Sequence, residues 1–223
     1  MRRVAALLLP AALVAMPVQA QFAPAGTFGT LAAATFGGSG IPNTAVMMNT
    51  FGGVTIGLTA TARFANPPVT NNGAGTYYYT PGPDSPPSRA RWNFDYYIGG
   101  TSARAYTYRL FYDFDPTVGN AGLGAFYDLA AFSAFSSGAY QDSWNLGFGF
   151  LGTTGGPITA PAYAPFSPSA SGEYNFALLA YDAAGLEVGR VAMNVSAVPE
   201  PATYLLMATG LLGLGLVARR RKA

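Results

Sequence analysis

Over residues 54–64 every second residue is apolar: Val54, Ile56, Leu58, Ala60, Ala62 and Phe64 alternate with Thr55, Gly57, Thr59, Thr61 and Arg63. In an extended chain this spacing places all the apolar side chains on one face, so the run reads as a strand with one buried and one solvated side. The pattern recurs in Trp92, Phe94, Tyr96 and Ile98, set against Arg91, Asn93, Asp95 and Tyr97. It recurs again in Tyr106, Tyr108, Leu110, Tyr112 and Phe114, and in Trp144, Leu146, Phe148 and Phe150. Tyr174, Phe176, Leu178 and Ala180 precede Asp182-Ala183-Ala184-Gly185, after which Val191, Met193, Val195 and Ala197 alternate once more. This last pair predicts a hairpin with Gly185 at a positive φ. No long helical periodicity interrupts these runs.

The stretches between the runs are rich in Gly and Pro, as in Asn66-Pro67-Pro68, Asn71-Asn72-Gly73, Pro81-Gly82-Pro83, Pro86-Pro87 and Gly155-Gly156-Pro157. Short alternating strands with such turns predict an all-β fold, an antiparallel β-sandwich of the immunoglobulin or jelly-roll kind. Residues 21–198 are long enough to form one such domain around a sizeable core, with residues 81–88 as a long internal loop.

Composition narrows the chemistry available to that domain. The chain has 223 residues with no Cys and no His. Disulfides, thiolate metal sites, cysteine nucleophiles and serine–histidine triads are therefore excluded. The single Lys is Lys222, near the C-terminus, so no lysine is left in the domain for Schiff-base or phosphate-loop chemistry. The formal charge of +2 belongs to the ends. Between residues 21 and 198 six Arg face nine Asp and Glu, a net of −3, and the arginines are scattered. A nucleic-acid surface needs clustered basic residues, so nucleic acid is not an expected partner.

Both ends read as targeting segments. Met1-Arg2-Arg3, an apolar run over residues 4–16 and Pro17-Val18-Gln19-Ala20 form the charged, apolar and cleavage regions of a signal peptide spanning residues 1–20. Val18 and Ala20 fit the −3 and −1 positions, so signal peptidase is expected to cut between Ala20 and Gln21. At the other end, Pro199-Glu200-Pro201 precedes an uncharged run over residues 202–218 and then Arg219, Arg220, Arg221 and Lys222. As a helix of about 1.5 Å per residue the run reaches about 26 Å, the short limit for a transmembrane helix. The basic cluster is expected to stay cytoplasmic, and Pro199 and Pro201 separate span from domain. The expected architecture is thus a β-sandwich flanked by an N-terminal signal helix and a C-terminal transmembrane helix.

Residues 199–223 strongly resemble the PEP-CTERM sorting signal of Gram-negative bacteria, in which a Pro-Glu-Pro motif precedes a short Gly- and Leu-rich span and a terminal Arg cluster. The run of Gly210, Leu211, Leu212, Gly213, Leu214, Gly215 and Leu216 follows the same habit. The resemblance implies recognition by an exosortase, a membrane transpeptidase-like protease. It implies export through the inner membrane, transient anchoring through the span, and then a place at the cell surface or outside the cell. Members of this group commonly accompany extracellular polysaccharide production in biofilm-forming or floc-forming bacteria.

Only carboxylates, hydroxyls and Arg remain for chemistry within the domain. Asp113 and Asp115, two residues apart before Pro116, are the candidate ligands for a hard cation such as Ca²⁺. On a strand ended by Pro116 they would share one face. They lack the ligand spacing and closing Glu of an EF-hand loop. Hydrolysis of a glycoside needs two carboxylates about 5 to 9.5 Å apart. Asp95, Asp113, Asp115, Asp128, Asp142, Glu173, Asp182 and Glu187 supply carboxylates without singling out a pair. Tyr77-Tyr78-Tyr79 and Tyr96-Tyr97 offer rings for stacking on sugars, with Tyr78 pointing opposite to Tyr77 and Tyr79. The reading that follows is a non-enzymatic, exosortase-sorted surface or matrix protein. Its alternatives are a carbohydrate-binding module and a secreted carboxylate-dependent glycoside hydrolase.

Overall fold

The computed structural model describes residues 23–118, 122–132, 138–163 and 165–197. Among them twelve strands follow in chain order: β1 (Thr27–Gly29), β2 (Val46–Phe51), β3 (Val54–Ala62), β4 (Thr70–Asn71), β5 (Thr76–Tyr79), β6 (Trp92–Gly99), β7 (Thr107–Tyr112), β8 (Gly124–Phe126), β9 (Ala139–Trp144), β10 (Ile158–Thr159), β11 (Gly172–Tyr181) and β12 (Glu187–Ala197). They form two sheets, a five-stranded one ordered β1-β2-β3-β6-β9 and a seven-stranded one ordered β10-β8-β7-β11-β12-β5-β4. Helical structure among the described residues is limited to one turn, α1 (Leu129–Phe132), and two 3₁₀ turns. No helix among these residues is long and apolar enough to cross a membrane. The signal helix and the transmembrane helix expected at the two ends lie outside the described residues.

The alternation read from the sequence gives the inner faces of the sheets. Ile56 and Leu58 of β3, Trp92, Phe94, Tyr96 and Ile98 of β6, Tyr108 and Leu110 of β7, Tyr174, Phe176 and Leu178 of β11 and Val191, Met193 and Val195 of β12 share one core. Trp92 is its connector. Its ring lies 4.9 Å from Tyr79 of β5, and 6.3 Å and 5.9 Å from Tyr174 and Phe176 of β11, so one side chain of the first sheet touches two strands of the second. The expected hairpin is β11–β12, with Leu178 opposite Val191. Gly185 sits at φ +76°, and Asp182 Oδ1 accepts from the N–H groups of Ala184 and Leu186 at 2.9 Å. An Asx turn with a left-handed Gly closes that hairpin.

Several local expectations are corrected. The second sheet is mixed rather than antiparallel throughout, because β5 runs parallel to β12. The β3 run ends at Ala62, and Phe64 lies beyond it at φ +51°, 82% exposed. The run of Trp144, Leu146, Phe148 and Phe150 is not one strand: β9 ends at Trp144, and Phe150 belongs to the 3₁₀ turn Gly149–Gly152. Asn145 turns the chain there. Its Oδ1 accepts from the N–H groups of Ala90 and Gly147 at 3.0 Å, and its Nδ2 reaches the carbonyls of Ala90 and Trp92 at 2.9 and 2.8 Å. A buried amide that replaces ladder bonds in this way stops the strand without exposing polar groups.

The face of β3 expected to be solvated is largely covered. Leu31, Ala34 and Phe36 from the chain before β2 pack with Val46, Tyr97 and Ala139 on the outside of the first sheet. Gly57 allows this approach, since a Cβ there would stand 2.9 Å from Leu31 Cδ2 and 3.1 Å from Val46 Cγ1. The covering segment is pinned by Gln141 Oε1, which accepts from the N–H groups of Thr35 and Phe36 at 2.8 Å. Asn43 Nδ2 adds a bond to the Ala34 carbonyl at 2.9 Å.

Residues 81–88 lie between strands that share sheets, since β3 pairs with β6 across them and β5 joins β12. Because Trp92 bridges the two sheets, Trp92→Ala is expected to destabilise the fold by about 3–5 kcal/mol, the usual range for emptying a large aromatic site. Equilibrium urea unfolding of the variant against the wild type measures it.

Candidate functional site: a polar cleft on the outer face of the first sheet

Where the covering segment stops, the outer face of β3, β6 and β9 opens into a cleft of about 840 Å³. Residues 36–42 form one wall, and Arg63, Phe64, Asn66, Pro68 and Val69 contribute another part of the lining. Its floor is set by strand register. Thr61 of β3 stands opposite Asn93 of β6, Thr59 stands opposite Asp95, and Asp95 stands opposite Ser143 of β9. Three neighbouring strands thus bring hydroxyl, amide and carboxylate groups together about 5 Å apart.

The polar groups of the floor are tied to one another. Asn93 Nδ2 donates to Ser143 Oγ at 3.0 Å, and Thr61 Oγ1 donates to Asp95 Oδ2 at 2.7 Å. Thr59 Oγ1 donates to the Ala45 carbonyl at 2.7 Å. Asp142 is held by neutral donors, the Ser143 N–H and Trp144 Nε1–H, both at 2.8 Å. Side chains fixed in this way meet a ligand already oriented.

Asp95 lies beneath the floor and is fully buried. Oδ1 has no partner within hydrogen-bond geometry. Burial pushes its pKa up to about 7, the Ser143 and Thr61 hydroxyls oppose the rise, and the charge of Asp142 adds to it. This is the acid in a low-dielectric setting that the sequence did not single out. Among the residues lining the cleft, Asp142 is the carboxylate.

The cleft wall carries backbone strain. Phe36 and Phe64, at φ +49° and +51°, both line it, and the third non-glycine residue in the left-handed region among the described residues is Asp128. A bulky side chain there costs about 1–2 kcal/mol. Phe36 gains burial in return, whereas Phe64 is exposed and its ring carries the Arg63 guanidinium at 4.4 Å. Arg63 in turn binds Asp84 at 2.8 Å, and Asn66 Nδ2 reaches the same carboxylate at 3.1 Å.

The other residues named from the sequence are placed as follows. β7 ends at Tyr112, so Asp113 and Asp115 stand beyond the strand rather than on it, and both are buried. They form successive Asx turns: Asp113 Oδ1 accepts from the Asp115 N–H at 2.8 Å, and Asp115 accepts from the Thr117 N–H at 3.0 Å and from the Thr117 hydroxyl at 2.8 Å. Burial raises the pKa of Asp113 to about 6 against the Asp115 N–H and Asn175. Among the described residues no three Asp, Glu, His or Cys residues are grouped to hold a metal ion. Tyr77 and Tyr79 are buried and Tyr78 is 37% exposed, as the alternation requires, while Tyr96 and Tyr97 are both buried. Of these Tyr residues only Tyr78 offers a face to solvent. Ala20, Gln21, Pro199, Glu200, Pro201, Arg219, Arg220, Arg221 and Lys222 lie outside the described residues.

The cleft itself was hidden in the sequence. β9 reads Ala-Tyr-Gln-Asp-Ser-Trp without clean alternation, so Gln141, Asp142 and Ser143 carried no strand signal. The one available hint was the row Thr59, Thr61, Asn93 and Asp95 on the polar sides of two alternating runs.

A model of the PEP-CTERM protein-sorting motif matches residues 197–222 of this chain. The match bears out the resemblance carried by Pro199-Glu200-Pro201, the Gly- and Leu-rich run and the Arg cluster. The chain is an exosortase-sorted exported protein, with an exosortase as its processing partner. No curated protein matches the sequence.

Two outcomes are expected from this geometry. Asp95 and Asp113 hold protons more tightly folded than unfolded, where an Asp titrates near its ordinary 3.8. Their contribution to stability is therefore complete below about pH 4 and is lost as pH rises through 6 to 7. Thermal melts should show Tm falling from pH 5 to pH 8. Asp95→Asn, which keeps an acceptor for Thr61, should flatten the fall and gain at least about 1 kcal/mol at pH 8, the equivalent of one pKa unit. The second outcome concerns Ca²⁺. Because local donors already occupy the Asp113 and Asp115 oxygens, millimolar Ca²⁺ is expected to leave Tm unchanged. A rise abolished by Asp115→Asn would assign the pair to the metal.

Proposed function

We propose that the two-sheet head is a non-enzymatic β-sandwich module, delivered by an exosortase to the cell surface or extracellular matrix of a Gram-negative bacterium, where it serves a structural role beside secreted polysaccharide. The reading includes removal of a signal peptide between Ala20 and Gln21 and transient anchoring through residues 202–218. The observation that carries it is the matched sorting motif, which starts at Ala197.

Ala197 is also the last residue of β12, paired with Gly172 of β11 on one side and Tyr79 of β5 on the other. The matched sequence therefore begins at Ala197, on the last described strand of the head. A protease acting near Pro199 would meet a rigid domain immediately ahead of its cleavage segment, and Pro199 and Pro201 would keep that segment extended in the enzyme's groove. The cleft supports a module that binds rather than turns over its ligand. Glycoside hydrolysis uses two carboxylates facing the sugar, whereas Asp142 lines the cleft and Asp95 is held below its floor.

The test uses the full chain in a host that has an exosortase. Changing Pro199, Glu200 and Pro201 together to Ala is expected to leave membrane insertion intact and block processing. Immunoblots of membrane and external fractions should then show full-length protein accumulating in the inner membrane. Release of the triple variant as efficiently as the wild type would reduce the tail to a plain anchor.

A further inference from the structure

We propose that the cleft over β3, β6 and β9 is a binding site for a neutral carbohydrate chain, with Phe64 as the stacking ring and Thr61, Asn93 and Ser143 as the hydrogen-bonding floor. The inference deepens the reading of a displayed head. It is tested on purified protein, so its outcome is separate from that of tail processing.

Three observations converge on it. The first is the chemistry of the floor. Hydroxyl and amide groups of Thr61, Asn93 and Ser143, from three strands, line one cleft and are held by bonds to neighbouring groups. Sugars present ring hydroxyls that both donate and accept, and such a row of mixed donors and acceptors matches them. The second is Phe64. A large apolar ring left 82% exposed gains nothing from the core, yet the backbone holds it at a φ that side chains with a Cβ avoid. Strain kept at an exposed aromatic on a cleft rim points to a ligand that covers the ring. A pyranose presents an apolar C–H face that packs on such a surface. The third is charge. The carboxylate in the lining is Asp142, and Arg63, the cation in the lining, is engaged by Asp84 at 2.8 Å and by the Phe64 ring. Anionic polymers, nucleic acid included, find little to attract them here.

A polypeptide fits less well. Extended peptides dock by adding a strand to an open sheet edge. At this cleft the edge strand is β9, and the segment bearing Thr35 and Phe36 is already fastened onto it through Gln141.

The experiment is affinity electrophoresis of the full chain in a mild non-ionic detergent, in native gels containing hydroxyethyl cellulose, laminarin, alginate or gelatin. The wild type is expected to be retarded by at least one of the two neutral glucans. Phe64→Ala should weaken that retardation at least tenfold, and Phe64→Trp should keep it. Ser143→Ala should weaken it as well, and Tyr78→Ala, on the second sheet, should leave it unchanged. Thermal melts of each variant confirm that the head is folded. Three results would overturn the proposal: no retardation by either neutral glucan, equal retardation of Phe64→Ala and wild type, or retardation confined to alginate or gelatin. The gelatin result would assign the cleft to a polypeptide.

Discussion

The contact between Trp92 and the β11 aromatics is the constraint on which the rest of the head depends. The large apolar inner face of each sheet can be buried only against the other sheet. Trp92 reaches from β6, in the middle region of the first sheet, to Tyr174 and Phe176 of β11 and to Tyr79 of β5. Phe94 extends the seam, with its ring 4.9 Å from Phe176 and 6.1 Å from Trp144. Aromatic rings fill the space between the sheets in tilted and edge-on pairs, which add attraction beyond area burial alone. With no Cys in the chain, this seam and the ladders beside it carry the stability of an exported domain without covalent help.

Once the inner faces are engaged, the outer face of the first sheet is free to differentiate. Its apolar part, around Gly57, Val46 and Tyr97, is sealed by Leu31, Ala34 and Phe36. Its polar part, from Thr59 and Thr61 through Asn93 to Ser143, is left as the floor of the cleft. One strand, β3, contributes to both parts, and the change of character falls between Gly57 and Thr59. The buried Asp95 belongs to the same arrangement. It anchors the Thr61 hydroxyl from below, at the expense of an oxygen with no partner. Polar networks of this kind fix side-chain orientation more than they add stability.

Much of the head was legible in the sequence because its inner faces obey a local rule. Period-two alternation identified β3, β6, β7, β11 and β12, and Gly185 identified the hairpin. It also placed Tyr78 outward between two buried neighbours. What was not legible depends on residues far apart in the chain. The covering of β3 needs Leu31 and Phe36, whose positions are fixed by Gln141 more than a hundred residues later. The strand expected over residues 144–150 fails for the same kind of reason, since Asn145 is held by Ala90 and Trp92. The sequence pattern places Asp113 and Asp115 on one strand face, but the chain leaves the strand at Tyr112 and wraps each carboxylate around its own backbone. The sorting tail was the most legible part of all. Its three pieces are defined by composition and order, which need no tertiary contacts.

The folded head carries a sorting sequence that begins at the last residue of β12, and that sequence is expected to be cut during export. The most direct measurement is the intact mass of the protein recovered from the external fraction of a host with an exosortase. The mass should correspond to a chain that starts at Gln21 and lacks the cluster of Arg219, Arg220, Arg221 and Lys222. External protein whose mass includes that cluster would contradict it.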